Sequence, residues 1–133
     1  MSRRVLEITG ARGVFAGARH ELRVGERVTV GRSRFVDLSA VRTPMGLRIG
    51  RDKLERNPRF RRMSRRHFEI SFESDQRIVI SDLSRNGVHV DGRRIRKTAE
   101  LEPESLAERG AVIAFGTGEE LRLRVRAAAL APA

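Results

Sequence analysis

The chain has 133 residues, no cysteine and a formal net charge of +11. These values fit one domain with a single core, and they exclude disulfides, thiol catalysis and thiolate metal sites. The 28 lysine and arginine residues, nearly all of them arginine, favour an anionic partner, because a guanidinium group binds phosphate in a bidentate manner.

Short strands are predicted along most of the chain. Alternation of apolar and polar residues, or in one case a short apolar run, predicts strands in chain order at 5–9, 20–24, 27–30, 67–73, 78–80, 88–90, 112–115 and 121–125. Asp91-Gly92, directly after one of these segments, is typical of a hairpin turn. Many short strands at this spacing predict an all-β fold, either a sandwich or a barrel.

Two segments depart from this alternation. Residues 42–66 hold nine arginines and one lysine against two acidic residues, which predicts a long basic loop with one helical turn near 52–56. The alanine-rich residues 127–133 are predicted to form a short C-terminal tail, either frayed or helical. No apolar run is long enough to span a membrane, and the N-terminus lacks the apolar segment of a secretory signal, so we expect a cytoplasmic protein.

The histidines form no recognisable catalytic or metal-binding pattern. His20 and His89 lie within predicted strands, without the spacing that metal ligands show. His67 follows three residues after Ser64, a spacing more typical of a hydrogen-bonded turn than of a nucleophile with its base. We therefore expect no enzymatic activity, no metal and no cofactor.

Polar motifs at strand ends indicate phosphate binding instead. Arginines, serine hydroxyls and backbone amides in loops at one end of a sandwich would supply the donors that a phosphate dianion needs. In chain order these motifs are Gly31-Arg32, Ser64-Arg65-Arg66-His67, Asp82-Leu83-Ser84-Arg85-Asn86-Gly87 and Asp91-Gly92. The ordered set resembles the forkhead-associated (FHA) domain family, whose members bind phosphothreonine.

The resemblance covers about residues 4–126 and implies the fold. It implies an FHA-like β-sandwich of two antiparallel sheets, with the domain at 1–126 and the tail at 127–133. It also implies that residues 42–62 are a long basic loop, inserted beside the binding site.

The resemblance assigns roles residue by residue. It implies that Arg32 and the Ser64 hydroxyl bind the phosphate, and that Arg65 contacts the phosphate or the peptide backbone. It implies that Asn86 holds its loop and bonds the main chain of the peptide. Arg85 stands where many members have serine or threonine, so it either adds a phosphate contact or crowds the site.

Other motif residues are expected to be structural. The resemblance implies that Gly31 and Gly87 permit tight backbone geometry and that His67 ties the Ser64 loop to its neighbours. Gly50-Arg51 offers a second register for the phosphate-binding arginine, because it lies nearer to Ser64 in the sequence. We favour Arg32, since it follows the right number of strands and precedes 36–38, a segment similar to the next family strand.

These expectations together predict a non-enzymatic signalling module. It would bind phosphothreonine peptides and recruit a partner protein phosphorylated by a Ser/Thr kinase, with no membrane contact. The basic loop would give a secondary contact to nucleic acid or to an acidic partner. Two alternatives remain open: a nucleic-acid-binding protein that uses the arginine-rich loop, or an FHA-fold structural subunit of an assembly.

Overall fold

The structure, a computed structural model, describes residues 3–128. Ala127 ends the last strand, so the predicted tail at 127–133 lies largely outside the described residues. Within residues 3–128, no helix is long and apolar enough to cross a membrane.

Strands are the main secondary structure of residues 3–128, and they make one six-stranded and one five-stranded sheet. The strands are β1 (Arg4–Arg12), β2 (Arg19–Arg23), β3 (Arg27–Gly31), β4 (Leu38–Ser39), β5 (Phe68–Ser74), β6 (Arg77–Asp82), β7 (Val88–Val90), β8 (Arg93–Arg94), β9 (Thr98–Leu101), β10 (Ala111–Phe115) and β11 (Glu119–Ala127). The helices are α1 (Pro44–Ile49), α2 (Arg51–Glu55), α3 (Pro58–Arg61) and α4 (Pro103–Glu108), with short 3₁₀ helices at Gly13–Phe15 and Ala40–Arg42.

The two sheets pack as a sandwich, which confirms the predicted fold. The six-stranded sheet has the order β2-β1-β11-β10-β7-β8, and the five-stranded sheet has the order β4-β3-β5-β6-β9. One strand pair departs from the expected antiparallel arrangement. The edge strand β4 runs parallel to β3, with Val30 opposite Leu38 and Gly31 opposite Ser39.

The core lies between the sheets, and the alternating residues of the strands fill it. In β5, Phe68, Ile70 and Phe72 are fully buried, while the residues between them are partly exposed. The ring of Phe115 packs against Phe68 with centroids 4.8 Å apart and against Phe15 with centroids 5.4 Å apart. This aromatic contact joins the two sheets close to the start of β5, next to the loops described below.

Residues 42–62 contain three short helices, so the expectation of a long basic loop is not confirmed for this segment. The predicted turn near 52–56 is α2, but α1 and α3 were missed. Thr43 caps α1 by accepting a bond from the backbone N–H of Gly46 at 2.9 Å, and Asn57 caps α3 in the same way. Leu54 and Phe60 are buried in the core, which fixes the segment to the sandwich.

These helices were missed because each is too short to show a period. Each of α2 and α3 buries one large apolar side chain, which is too few to produce helical alternation. The stronger signal was proline in the first turn of α1 and of α3, directly after a capping residue. Proline also begins α4 at Pro103, although Glu102 before it makes no capping bond, and α4 was also not predicted.

Candidate functional site

Loops from three places in the sequence form one groove at an end of the sandwich. They follow β3, precede β5 and connect β6 to β7. The predicted site residues all line this groove: Arg32, Ser64, Arg65, Arg85 and Asn86. We call it the primary groove.

Arg32 lines the primary groove and is anchored to the loop before β5. Its Nε donates to the carbonyl oxygen of Met63 at 2.9 Å, and its backbone N–H donates to that of Ser64 at 3.0 Å. Because Nε is held, the plane of the guanidinium is fixed, and its two Nη groups are the donors that an anion would use.

Positive charge accumulates around this guanidinium. Burial lowers the pKa of Arg32 below its usual value, and repulsion from Arg65 and Arg61 lowers it further, against the attraction of Glu55. Arginine nevertheless keeps its proton at any physiological pH. The primary groove therefore presents several like charges whose mutual repulsion a bound dianion would relieve.

His67 connects two of the loops through both ring nitrogens. Its Nδ1 accepts the backbone N–H of Ser64 at 2.9 Å, so Nε2 carries the proton and donates to the carbonyl of Gly87 at 2.9 Å. The side chain is completely buried. Burial lowers the pKa of His67, although the bond to Gly87 and the charge of Asp82 oppose this shift.

Ser64 and Asn86 face the groove while holding it together. The Ser64 hydroxyl oxygen accepts the backbone N–H of Arg85 at 3.2 Å, which leaves the hydroxyl hydrogen for a ligand. Asn86 Nδ2 donates to the carbonyl oxygen of Arg62 at 2.8 Å. The loop before β5 and the loop after β6 are thus bonded directly to each other across the groove.

The loop after β6 is also closed internally. The Asp82 carboxylate accepts the backbone N–H of Ser84 at 2.8 Å and its hydroxyl at 2.6 Å. The Ser84 oxygen accepts in turn from the N–H of Gly87 at 2.8 Å. This chain of bonds fixes the turn that presents Asn86.

The two motif glycines sit where a side chain would not fit. A Cβ atom on Gly31 would lie 2.1 Å from the carbonyl oxygen of Arg65. Gly87 has φ of +93°, and a Cβ there would meet the Arg94 guanidinium at 2.8 Å. The first glycine is needed for close approach of two backbones, and the second for its conformation.

Arg51 does not occupy the position of Arg32. It begins α2, is exposed, and pairs with Glu55 through Nε at 3.7 Å. It lines a neighbouring groove, which also contains Arg32 and Arg65. The two arginines that the sequence offered as alternatives therefore line one groove, and Arg32 is the one bonded to the loop of Ser64.

The other two histidines lie away from these grooves. His20 is half-buried in β2, opposite Ile8 of β1. His89 is exposed in β7, opposite Ala114 of β10.

A comparison with known families decides the affiliation of the chain. The family model of the FHA domain matches residues 28–116 of this chain. The chain belongs to the FHA family. The resemblance drawn from the ordered motifs is therefore confirmed, and the match includes every predicted site residue of this FHA domain.

Solved structures agree with this FHA fold. The FHA domain of CT664 from Chlamydia trachomatis is 26% identical, with a TM-score of 0.61, over 92% of this chain and 97% of that one. An FHA domain of Arabidopsis thaliana is 18% identical, with a TM-score of 0.67, over 100% and 93% of the two chains. The N-terminal FHA domain of S. cerevisiae Rad53p, solved with a phosphothreonine peptide, is 16% identical, with a TM-score of 0.61, over 92% and 94%. A search of curated proteins finds no similar sequence.

Sequence reasoning missed part of the primary groove of this FHA domain. Arg61 and Arg62 line it, although they were counted only as charges of a loop. Leu83, 45% exposed, adds an apolar surface to the same groove. The available signal was their position in the sequence: Arg61 and Arg62 shortly precede Ser64, and Leu83 directly precedes Ser84.

Proposed function

We propose that this FHA domain is a non-enzymatic module that binds phosphothreonine peptides in the primary groove. The observation that carries the proposal is the anchored guanidinium of Arg32, which opens onto the same groove as the Ser64 hydroxyl. A phosphothreonine dianion needs charge-assisted donors together with neutral hydrogen bonds, and this pair supplies one of each.

The remaining groove residues fit a peptide around that phosphate. Arg65 lies beside Ser64 and adds a second guanidinium for the phosphate or for a peptide carbonyl. Asn86 keeps its side-chain oxygen for a peptide N–H while its amide group holds Arg62. Arg85 is exposed at the rim, where it would steer an acidic peptide rather than fix it.

The similarity to known structures supports the same ligand class. The N-terminal FHA domain of yeast Rad53p was solved with a phosphothreonine peptide, and it shares the fold of this chain. In the proposed role, the domain recruits a partner phosphorylated by a Ser/Thr kinase in the cytoplasm.

A peptide library screen tests this proposal. Degenerate peptides with a central phosphothreonine are compared with matched phosphoserine and unphosphorylated peptides, and affinities of selected sequences are measured by fluorescence anisotropy. We expect selective binding of the phosphothreonine peptides. A protein that binds duplex DNA at physiological salt but retains no phosphopeptide would instead support the nucleic-acid alternative.

A further inference from the structure

A second groove adjoins the primary groove, and the phosphothreonine alone does not account for it. Arg34, Phe35, Arg51 and Glu55 line it, together with Arg32 and Arg65, which also line the primary groove. We call it the adjoining groove. The two grooves share these two arginines, so one extended peptide could cross from one groove into the other.

The loop that carries Arg34 is held in place. The backbone N–H of Ser33 donates to the carbonyl of Arg65 at 3.1 Å. The Asp37 carboxylate accepts the backbone N–H of Thr29 at 2.9 Å. The guanidinium carbon of Arg34 lies 4.7 Å from the centre of the Phe35 ring, in a cation–π contact that orients it.

The charge of the adjoining groove is unbalanced. It contains four arginines and one carboxylate, that of Glu55. Glu55 pairs with Arg51 at 3.7 Å between exposed side chains, and it also acts on Arg32 from a distance. An exposed pair of this kind is weak, so a stronger anion would displace it.

We propose that the adjoining groove binds a second anionic group, a phosphate or a carboxylate, on the same peptide as the phosphothreonine. The inference rests on the proposed function and specifies its ligand class. Arg51 and Arg34 bind this second group, and Arg65 lies between the two anions. The exposed ring of Phe35, 82% accessible, packs against the peptide segment beside that group.

The test places a second anion at each position around the phosphothreonine. Degenerate phosphothreonine libraries carry phosphoserine, aspartate or alanine, fixed in turn at each flanking position. We expect one position at which phosphoserine raises affinity by about tenfold over alanine, with a smaller gain for aspartate. The phosphoserine and aspartate arms distinguish a second phosphate from an acidic side chain.

Variants assign that preference to the adjoining groove. The preference is the ratio of the affinity for the phosphoserine peptide to the affinity for the alanine peptide. We expect Arg51→Gln and Arg34→Gln each to lower this ratio by about threefold or more. Arg27→Gln removes an exposed arginine at the opposite end of β3, and it should leave the ratio unchanged. Glu55→Gln removes the competing carboxylate and should raise affinity for the doubly anionic peptide.

The outcomes distinguish a failure of the second-anion inference from a failure of the proposed phosphothreonine binding. If no phosphothreonine peptide binds, the proposed function fails, and the inference fails with it. If singly phosphorylated peptides bind but no second anion adds affinity, or if the gain survives both arginine substitutions, only the inference is overturned. It is also overturned if Arg51→Gln weakens binding of duplex DNA while the peptide preference stays intact.

Discussion

At the scale of single residues, position matters more than the number of arginines. Arg32 is half-buried, and its Nε is committed to the carbonyl of Met63. Arg51 is exposed and pairs only weakly with Glu55. A donor that is already ordered loses less conformational freedom on binding, so Arg32 should contribute more to the affinity for a single phosphate.

Arg32→Ala should therefore weaken binding of a singly phosphorylated peptide by more than about tenfold, since each charge-assisted bond contributes about 1.5–3 kcal/mol. The fold should survive, because among residues 3–128 the guanidinium makes a single hydrogen bond, to the carbonyl of Met63. Anisotropy titrations and thermal unfolding measure both effects, with Arg27→Ala as control. Abolished binding in Arg51→Ala, with binding retained in Arg32→Ala, would make Arg51 the primary phosphate ligand.

His67→Ala should lower the free energy of unfolding by about 2–4 kcal/mol. The substitution leaves the Ser64 N–H and the Gly87 carbonyl without their partner and opens a cavity beside Phe115, whose ring centroid lies 5.3 Å away. Urea unfolding measures the loss. His89→Ala, at an exposed position, should change stability far less, and equal losses in the two variants would refute the structural role of His67.

His67 should also make stability depend on pH. Its folded-state pKa is lowered by burial, so the unfolded chain takes up a proton first. Its stabilising contribution is complete above the usual histidine value of 6.5, and it is lost as pH falls below that value towards the lowered folded-state pKa. Urea unfolding between about pH 7 and pH 5 should show this slope, at most about 1.4 kcal/mol per pH unit. The slope should be smaller in His67→Ala, and identical slopes would contradict it.

At the scale of elements, the helical segment 44–61 positions backbone groups that hold two residues of the primary groove. Phe60 is buried in the last turn of α3, and Arg62 and Met63 directly follow that helix. The carbonyls of Arg62 and Met63 hold Asn86 and Arg32. Packing of Phe60, together with that of the buried Met63, thus positions two backbone acceptors in the site.

Phe60→Ala should cost about 3–5 kcal/mol of stability and weaken phosphopeptide binding, because the acceptors for Arg32 and Asn86 would lose their support. Chemical unfolding and anisotropy together measure this coupling. Leu47→Ala in α1 is the matched control, since Leu47 is 69% exposed and its substitution should stay within about 0.5 kcal/mol. Unchanged binding in a destabilised but folded Phe60→Ala protein would show that the segment does not position the site.

How much of each element was predictable depended on how many buried residues it contains. Strand β5 buries Phe68, Ile70 and Phe72, so its alternation was evident. Helix α3 buries only Phe60, and the two-residue β4 joins its sheet as a parallel edge, so neither produces a period. The primary groove was found through its motifs. The adjoining groove combines residues from the loop after β3 with residues from α2, and no local pattern connects them.

At the scale of the whole molecule, the net charge of +11 should act mainly on association. Exposed arginines of the helical segment that line neither groove include Arg48, Arg56 and Arg59. Long-range attraction of this kind raises the rate of encounter more than it slows dissociation.

Replacing Arg48, Arg56 and Arg59 together by glutamine should slow association with a phosphopeptide several-fold at low salt and leave dissociation nearly unchanged. The difference should vanish near about 1 M salt, where the screening length is about 3 Å. Stopped-flow association across a salt series measures it. A control variant with glutamine at Arg19, Arg23 and Arg27 tests whether the position of the charges or their total number matters. Faster dissociation of the peptide from the variant at Arg48, Arg56 and Arg59 would mean that these arginines contact the peptide directly.

The pairing of β1 with β11 has a consequence for how the domain can be attached to a surface or to another protein. Arg4 lies opposite Ala127, so the two ends of the sandwich's longest strand pair emerge side by side. Arg4 is at the same end as Arg23 of β2, which a tight turn joins to the start of β3. The grooves lie beyond the far end of β3. The start of β1 and the end of β11 therefore lie at the end of the sandwich opposite the grooves, so an attachment that continues from either strand leaves the protein on the side away from the ligand.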